Sequence, residues 1–199
     1  MAVPIPKLTV DQYLVIEREA EYRSEYYQGE MFVMAGGTRR HSRLAVRFAS
    51  MLQARLDGRG CEIYNCDIKV QIEPGGLNTY PDVSVACGEP QFTTEVGEVL
   101  VNPRVIVEVL SKSTEANDRG FKFQEYKKIR SLQEYILVSQ TEPLIERFGR
   151  NSAGVWTEYS EARGLEAVIE LKSLGIEIPL EELYRERSGV GATPHEVEA

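Results

Sequence analysis

The chain has 199 residues, 42% of them hydrophobic and 27% charged, with 23 Lys and Arg against 31 Asp and Glu for a formal net charge of −8. That length suits one domain with a sizeable core, and the composition excludes a disordered or fibrous class. The acidic balance excludes coating nucleic acid by bulk attraction and leaves only local patches for that role.

No stretch approaches the ~18 apolar residues of a membrane span, and the start lacks a basic segment followed by an apolar one, so a cytoplasmic protein is expected. The three cysteines, Cys61, Cys66 and Cys87, are odd in number, sit in strand-like segments and show no C-x-x-C spacing. They read as buried thiols of a reduced, intracellular protein rather than zinc ligands or a redox pair.

In chain order, Thr9-Val10-Asp11-Gln12 has the form of a capping box opening a helix to about residue 23, and a strand follows over 29–34. From Thr38 a helix runs to about Leu56, with Leu44, Phe48, Leu52 and Leu56 four apart on one face. The same region contains no acid but has Arg39, Arg40, Arg43, Arg47 and Arg55, of which Arg40, Arg43 and Arg47 share a flank. Such a flank serves as a solvated face or as a grip on an anion.

Strands are expected over 61–72, 80–87 and 103–110, with EPGGLNT as the turn between the first two. Asn117-Asp118 can cap a helix to about residue 130, and EYILVS over 134–139 is a strand. Segments 144–148, 155–159 and 167–171 read as a β-meander and 180–184 as a last helical turn. One domain over 1–187 and a disordered tail over 188–199 complete the organisation.

Two carboxylates stand out. In VIVEVLSKS, over 105–113, Glu108 interrupts a strand that is apolar on both parities and so covered on both faces. In YPDVSVAC, Asp82 shares its face with Ser84 and Ala86, as Glu108 does with Ile106 and Leu110. If these strands are neighbours the two acids converge, which demands a proton or a cation between them. Mg²⁺ would be satisfied by two carboxylates, the Val109 backbone carbonyl and water. Asp82 also suits a strand-mouth turn, and Glu108 a buried salt bridge with Arg104 or a lysine. Lys122 lies in line with Tyr126 and Ile129 and should face the sheet, where it needs an acid or a phosphate.

The runs YPDVSVACGEP and NPRVIVEVLSKSTEANDRGFKFQEYKKIRSLQEYILVS closely resemble the Uma-type restriction endonuclease family, a branch of the PD-(D/E)XK nuclease superfamily. The likeness extends from YYQGEMFVMAGG to SLGIEIPLEELY. It implies an α/β (α+β) restriction-endonuclease-like core, a mixed β-sheet flanked by helices, with an N-terminal helix and strand and a C-terminal meander. It also implies that Asp82 and Glu108 hold Mg²⁺ or Mn²⁺ while a lysine steadies the attacking water or the scissile phosphate.

The sequence departs from the superfamily motif at Leu110, where a lysine is expected. Lys112 and Lys122 are the substitutes. Lys122 is preferred, on its helical phase and because the family carries its lysine in a DRGxK segment. His41 is a further candidate for phosphate contact or proton transfer, or else a structural histidine, and Glu30 is either a third carboxylate or a solvated strand edge.

The resulting expectation is a metal-dependent endonuclease acting on DNA, gripped through Arg39, Arg40, Arg43 and Arg47 and working as a homodimer. The alternatives are a nuclease fold that binds nucleic acid or a protein without cutting, since losing the motif lysine is one way to lose activity, and a self-associating structural protein.

Overall fold

The computed structural model describes residues 7–93 and 98–185; the tail expected over 188–199 lies outside them. Helix α1 (Val10–Glu19) begins at the expected capping box. The Thr9 hydroxyl accepts from the Gln12 N–H at 3.2 Å, and the Gln12 side chain accepts from the Thr9 N–H at 2.8 Å. The helix ends short of residue 23 because the chain turns into a hairpin, β1 (Ser24–Tyr27) and β2 (Glu30–Val33). Gln28 and Gly29 form its two-residue turn with φ of 48° and 91°, the left-handed pair that matches strand twist.

Thr38 caps α2 (Arg39–Leu56) by accepting from the His41 N–H at 3.1 Å, and the stripe Leu44, Phe48, Met51, Leu52 and Leu56 is buried. The single strand expected over 61–72 is two strands, β3 (Cys61–Asn65) and β4 (Lys69–Gln71), which belong to different sheets. Asn65 breaks it: its side chain accepts from the Asp67 N–H at 3.0 Å, an Asx turn that the alternating pattern conceals.

There follow β5 (Asn78–Thr79), β6 (Val83–Cys87), β7 (Phe92–Thr93), β8 (Val99–Leu100) and β9 (Val105–Leu110). The helical connection is α3 (Glu115–Asn117), a π-helical turn (Asp118–Lys122) and α4 (Phe123–Tyr126). Strands β10 (Glu134–Ser139), β11 (Leu144–Arg150), β12 (Trp156–Arg163), β13 (Val168–Leu171) and β14 (Ile176–Pro179) lead to α5 (Leu180–Tyr184).

The central sheet runs β12-β11-β10-β9-β6-β3 and is mixed, β9 and β10 being parallel and the other pairs antiparallel. A second sheet runs β2-β1-β5-β4-β8-β7, and β13 and β14 form a ribbon. On one face of the central sheet Val83, Val85, Val105, Val107 and Val109 pack on α2, the ribbon and α5. On the other, Ala86, Ile106, Leu110 and Leu137 pack on Tyr126, Ile129 and the second sheet through Val70, Leu77 and Leu100. Every residue of β9 is buried, Glu108 included. The expected mixed sheet flanked by helices is the fold observed.

The cysteines require a correction. Cys61 and Cys87 stand opposite each other across the β3–β6 ladder, Cα atoms 4.0 Å apart, and form a disulfide, so only Cys66 is a free thiol. Their partnership follows from strand register, which spacing along the chain does not reveal. No helix among the described residues is long and apolar enough to cross a membrane.

Candidate active site

Asp82 lies one residue before β6, whose register with β9 pairs Val83 with Val107 and so brings Asp82 level with Glu108. One Asp82 oxygen, Oδ2, accepts from the Val109 N–H at 2.7 Å, and Oδ1 is 2.8 Å from His41 Nε2. The Asp82 N–H reaches Glu108 Oε2 only at 3.5 Å. The other Glu108 oxygen, Oε1, accepts from the Tyr126 hydroxyl at 2.8 Å and from Lys122 Nζ at 3.3 Å.

Lys122 gathers further acids. Its Nζ lies 3.0 Å from Glu25 Oε1 on β1 and 3.6 Å from Asp118 Oδ1 one helical turn earlier. The π-helical turn sets this arrangement: it holds Asp118 and Lys122 inward, both buried, while the neighbouring Phe121 stays exposed. The Tyr135 hydroxyl anchors the turn by donating to the Asp118 carbonyl at 3.1 Å.

The cluster therefore sets four carboxylates, Glu25, Asp82, Glu108 and Asp118, against one lysine, with His41 a second cation only when protonated. Glu108 is 4% exposed, and burial, reinforced by the charges of Asp118 and Asp82 and opposed by Lys122 and Tyr126, pushes its carboxyl up to about 8. Burial likewise raises Asp118. For Lys122 burial opposes the charge, but Glu108, Glu25 and Asp118 together hold the ammonium well above the ordinary lysine range. The hydrogen bond to Asp82 raises His41 against its own burial, with Glu108 and the Val109 backbone adding to the effect.

Glu30 is exposed and pairs across the hairpin with Tyr27, two residues along β1 from Glu25, which is the carboxylate that β1 delivers to Lys122. The sequence misses Glu25 because the first helix is expected to reach residue 23 and Ser24-Glu25-Tyr26-Tyr27 has no polar/apolar alternation to mark a strand; its alternation appears only in burial once β1 is formed. Lys112 is exposed beyond the end of β9.

Arg39 and Arg40 are exposed at the start of α2, and Arg43 is half-buried. Arg47 instead donates to the carbonyls of Leu183, at 3.1 Å, and Arg185, and Arg55 pairs with Glu182 at 2.5 Å. Arg47 and Arg55 therefore clamp α5 to α2.

The Uma2 family profile, described as "Putative restriction endonuclease", matches residues 10–181. The chain belongs to this family. Two proteins of Synechocystis sp. are similar over nearly their whole length: slr1290 is 39% identical, covering 92% of this chain and 95% of that one, and sll1609 is 34% identical, covering 85% and 95%. The crystal structure of a "putative nuclease" from Anabaena variabilis superposes with a TM-score of 0.72 at 19% identity, covering 89% of this chain and 97% of that one. This neighbour shares the Uma2 protein's fold.

Nucleases of this kind imply a divalent metal. Among the described residues no three His, Cys, Asp or Glu side chains are spaced to hold an ion as they stand. The donor chemistry nevertheless fits a hard cation: Glu108 Oε2 has only the long contact from the Asp82 N–H, and carboxyl groups outnumber the one lysine in the cluster.

Proposed function

We propose that this Uma2 protein is a Mg²⁺- or Mn²⁺-dependent endonuclease that hydrolyses phosphodiester bonds of DNA at the Asp82, Glu108 and Lys122 cluster. One observation carries the reading: carboxylates outnumber the one lysine in a buried cluster, where burial, reinforced by Asp118 and Asp82, pushes Glu108 up to about 8. A site built only for stability would neutralise its charges. Asp82 and Glu108, with the Val109 carbonyl, would hold the ion, which when bound polarises a phosphoryl oxygen and acidifies a water.

Lys122 supplies a fixed positive charge at the phosphate and orients the attacking water, and Glu25 and Asp118 keep it protonated and aimed. His41, held at the site by Asp82, is set to pass a proton at its edge. Arg39 and Arg40, with Arg43 behind them, bring the backbone to the start of α2, while Arg47 is held by the carbonyls of Leu183 and Arg185. Cutting both strands would call for a homodimer whose two-fold axis matches that of the duplex.

The test is incubation of the purified protein with plasmid, linear duplex and single-stranded DNA in Mg²⁺ or Mn²⁺. Cleavage that disappears with chelator and in Asp82→Ala is expected. Intact DNA in every metal, salt and pH condition would reject the reading.

A further inference from the structure

The β1–β2 hairpin carries more than Glu25 to the site. Residues opposite each other on antiparallel strands share a face, so the pairings Glu25 with Phe32 and Tyr27 with Glu30 place Glu25, Tyr27, Glu30 and Phe32 together. The opposite face, with Tyr26 and Met31, packs against α1. On the free face Phe32 is 48% exposed. Tyr27 meets Phe121 edge to face with ring centroids 4.8 Å apart, and Phe121 is 38% exposed.

These rings lie beside the reacting groups. Lys122 directly follows Phe121 and is 3.0 Å from Glu25, and Tyr27 is two residues beyond Glu25, a step of roughly 6.7 Å along a strand. Gln28 holds a left-handed conformation unusual for a residue with a side chain, and its amide donates to the Tyr27 hydroxyl at 3.0 Å. The turn thus fixes the Tyr27 ring. Exposed aromatic rings within one nucleotide's reach of a phosphate site suit stacking on an unpaired base, which duplex DNA keeps inside its helix. Stacking also draws little on charge, which suits a chain of net charge −8 that has committed Arg47 and Arg55 to α5.

We infer that Phe32 and the Tyr27–Phe121 pair form a base-stacking platform beside the phosphate site, so that the substrate is nucleic acid with an unpaired nucleotide next to the cleaved bond. This rests on the nuclease reading for its place in the reaction, while the stacking itself is measured separately.

The experiment uses the full chain, with Ca²⁺ in place of Mg²⁺. The probes are a short single-stranded DNA carrying one 2-aminopurine and the duplex of the same sequence. The platform predicts quenched fluorescence and tighter binding for the single strand. Phe32→Ala with Phe121→Ala should lose about 10-fold or more in single-strand affinity together with the quench. Tryptophan at both positions should retain both properties, whereas leucine, which keeps apolar bulk without a ring, should not.

Leucine variants that bind and quench like wild type, or a wild type that binds neither probe or favours the duplex, overturn the platform. Cleavage is followed in parallel with Mg²⁺. A protein that stacks the base but cuts no DNA rejects the nuclease reading and leaves the platform standing. One that cuts duplex and single strand equally, with no response to the aromatic changes, rejects the platform alone.

Discussion

Two buried charged clusters sit on the central sheet and are built on opposite terms. Around Glu134 on β10, Arg147 donates at 3.0 Å, the Lys172 and Ser173 N–H groups at 2.9 and 3.1 Å, and the Ser173 hydroxyl at 2.6 Å. The remaining Arg147 nitrogens go to Glu158 and Ser160 at 2.8 and 3.1 Å. Every charge there has a partner, and the cluster ties the ribbon of β13 and β14 to the sheet. Around Glu108 on β9, one strand away, Glu25, Glu108 and Asp118 share one lysine beside Asp82, and Glu108 is driven toward its neutral form. Saturation suits a structural network, and a buried surplus of acids is the arrangement that the proposed metal site requires.

The largest effect should come from breaking the saturated cluster. Arg147→Ala strands Glu134, and we expect a loss of about 3–5 kcal/mol in urea unfolding, with the Glu108 site unchanged in whatever protein remains folded. In the other cluster, Lys122→Met should lower the cleavage rate by about 10²–10³-fold, and its cost to folding should fade toward pH 5 as Glu108 and Asp118, both already raised, take up protons, as single-turnover assays beside circular dichroism melts at low pH would show. If Lys122→Met still melts the protein at low pH as Arg147→Ala does, the contrast between the clusters fails.

Reducing the Cys61–Cys87 bond, which closes a loop of 26 residues in sequence separation, should cost about 3 kcal/mol. Thermal melts with and without a thiol reductant, against a Cys61→Ser, Cys87→Ser control that no longer responds, would measure it.

A smaller effect should appear in pH dependence without metal. Glu108 is raised from 4.5 to about 8, so between those values the folded chain keeps a proton that the unfolded chain has lost, and stability should fall as pH rises across that window. His41, raised above 6.5, acts in the same sense: its contribution is present at low pH and lost as pH rises through its folded value. Glu108→Gln should therefore melt higher than wild type at pH 8 in chelator, with the gap closing toward pH 5. A gap of equal size at both values would show that Glu108 carries no such strain.

What the sequence made legible was local. Strand parity set Asp82 and Glu108 on matching faces, and the helical phase of Lys122 with Tyr126 and Ile129 pointed it at the sheet, even though a π-helical turn interrupts that helix. What stayed hidden depends on long-range pairing. Glu25 reaches Lys122 only because β1 joins the second sheet, Cys61 meets Cys87 only through register, and the strand expected over 61–72 is divided by one asparagine between two sheets. The arginine flank was legible as a patch, but its partner α5 lies more than a hundred residues away in sequence.

The unsaturated cluster should bind a divalent cation. Calorimetric titration of the metal-free protein with Mn²⁺ at pH 7, in buffers of different ionisation enthalpy, tests it directly. We predict saturable binding with proton release as Glu108 ionises, lost in both Asp82→Ala and Glu108→Gln and retained in Glu134→Gln. No binding by the wild type, or binding unchanged by the Asp82 and Glu108 substitutions, would contradict it.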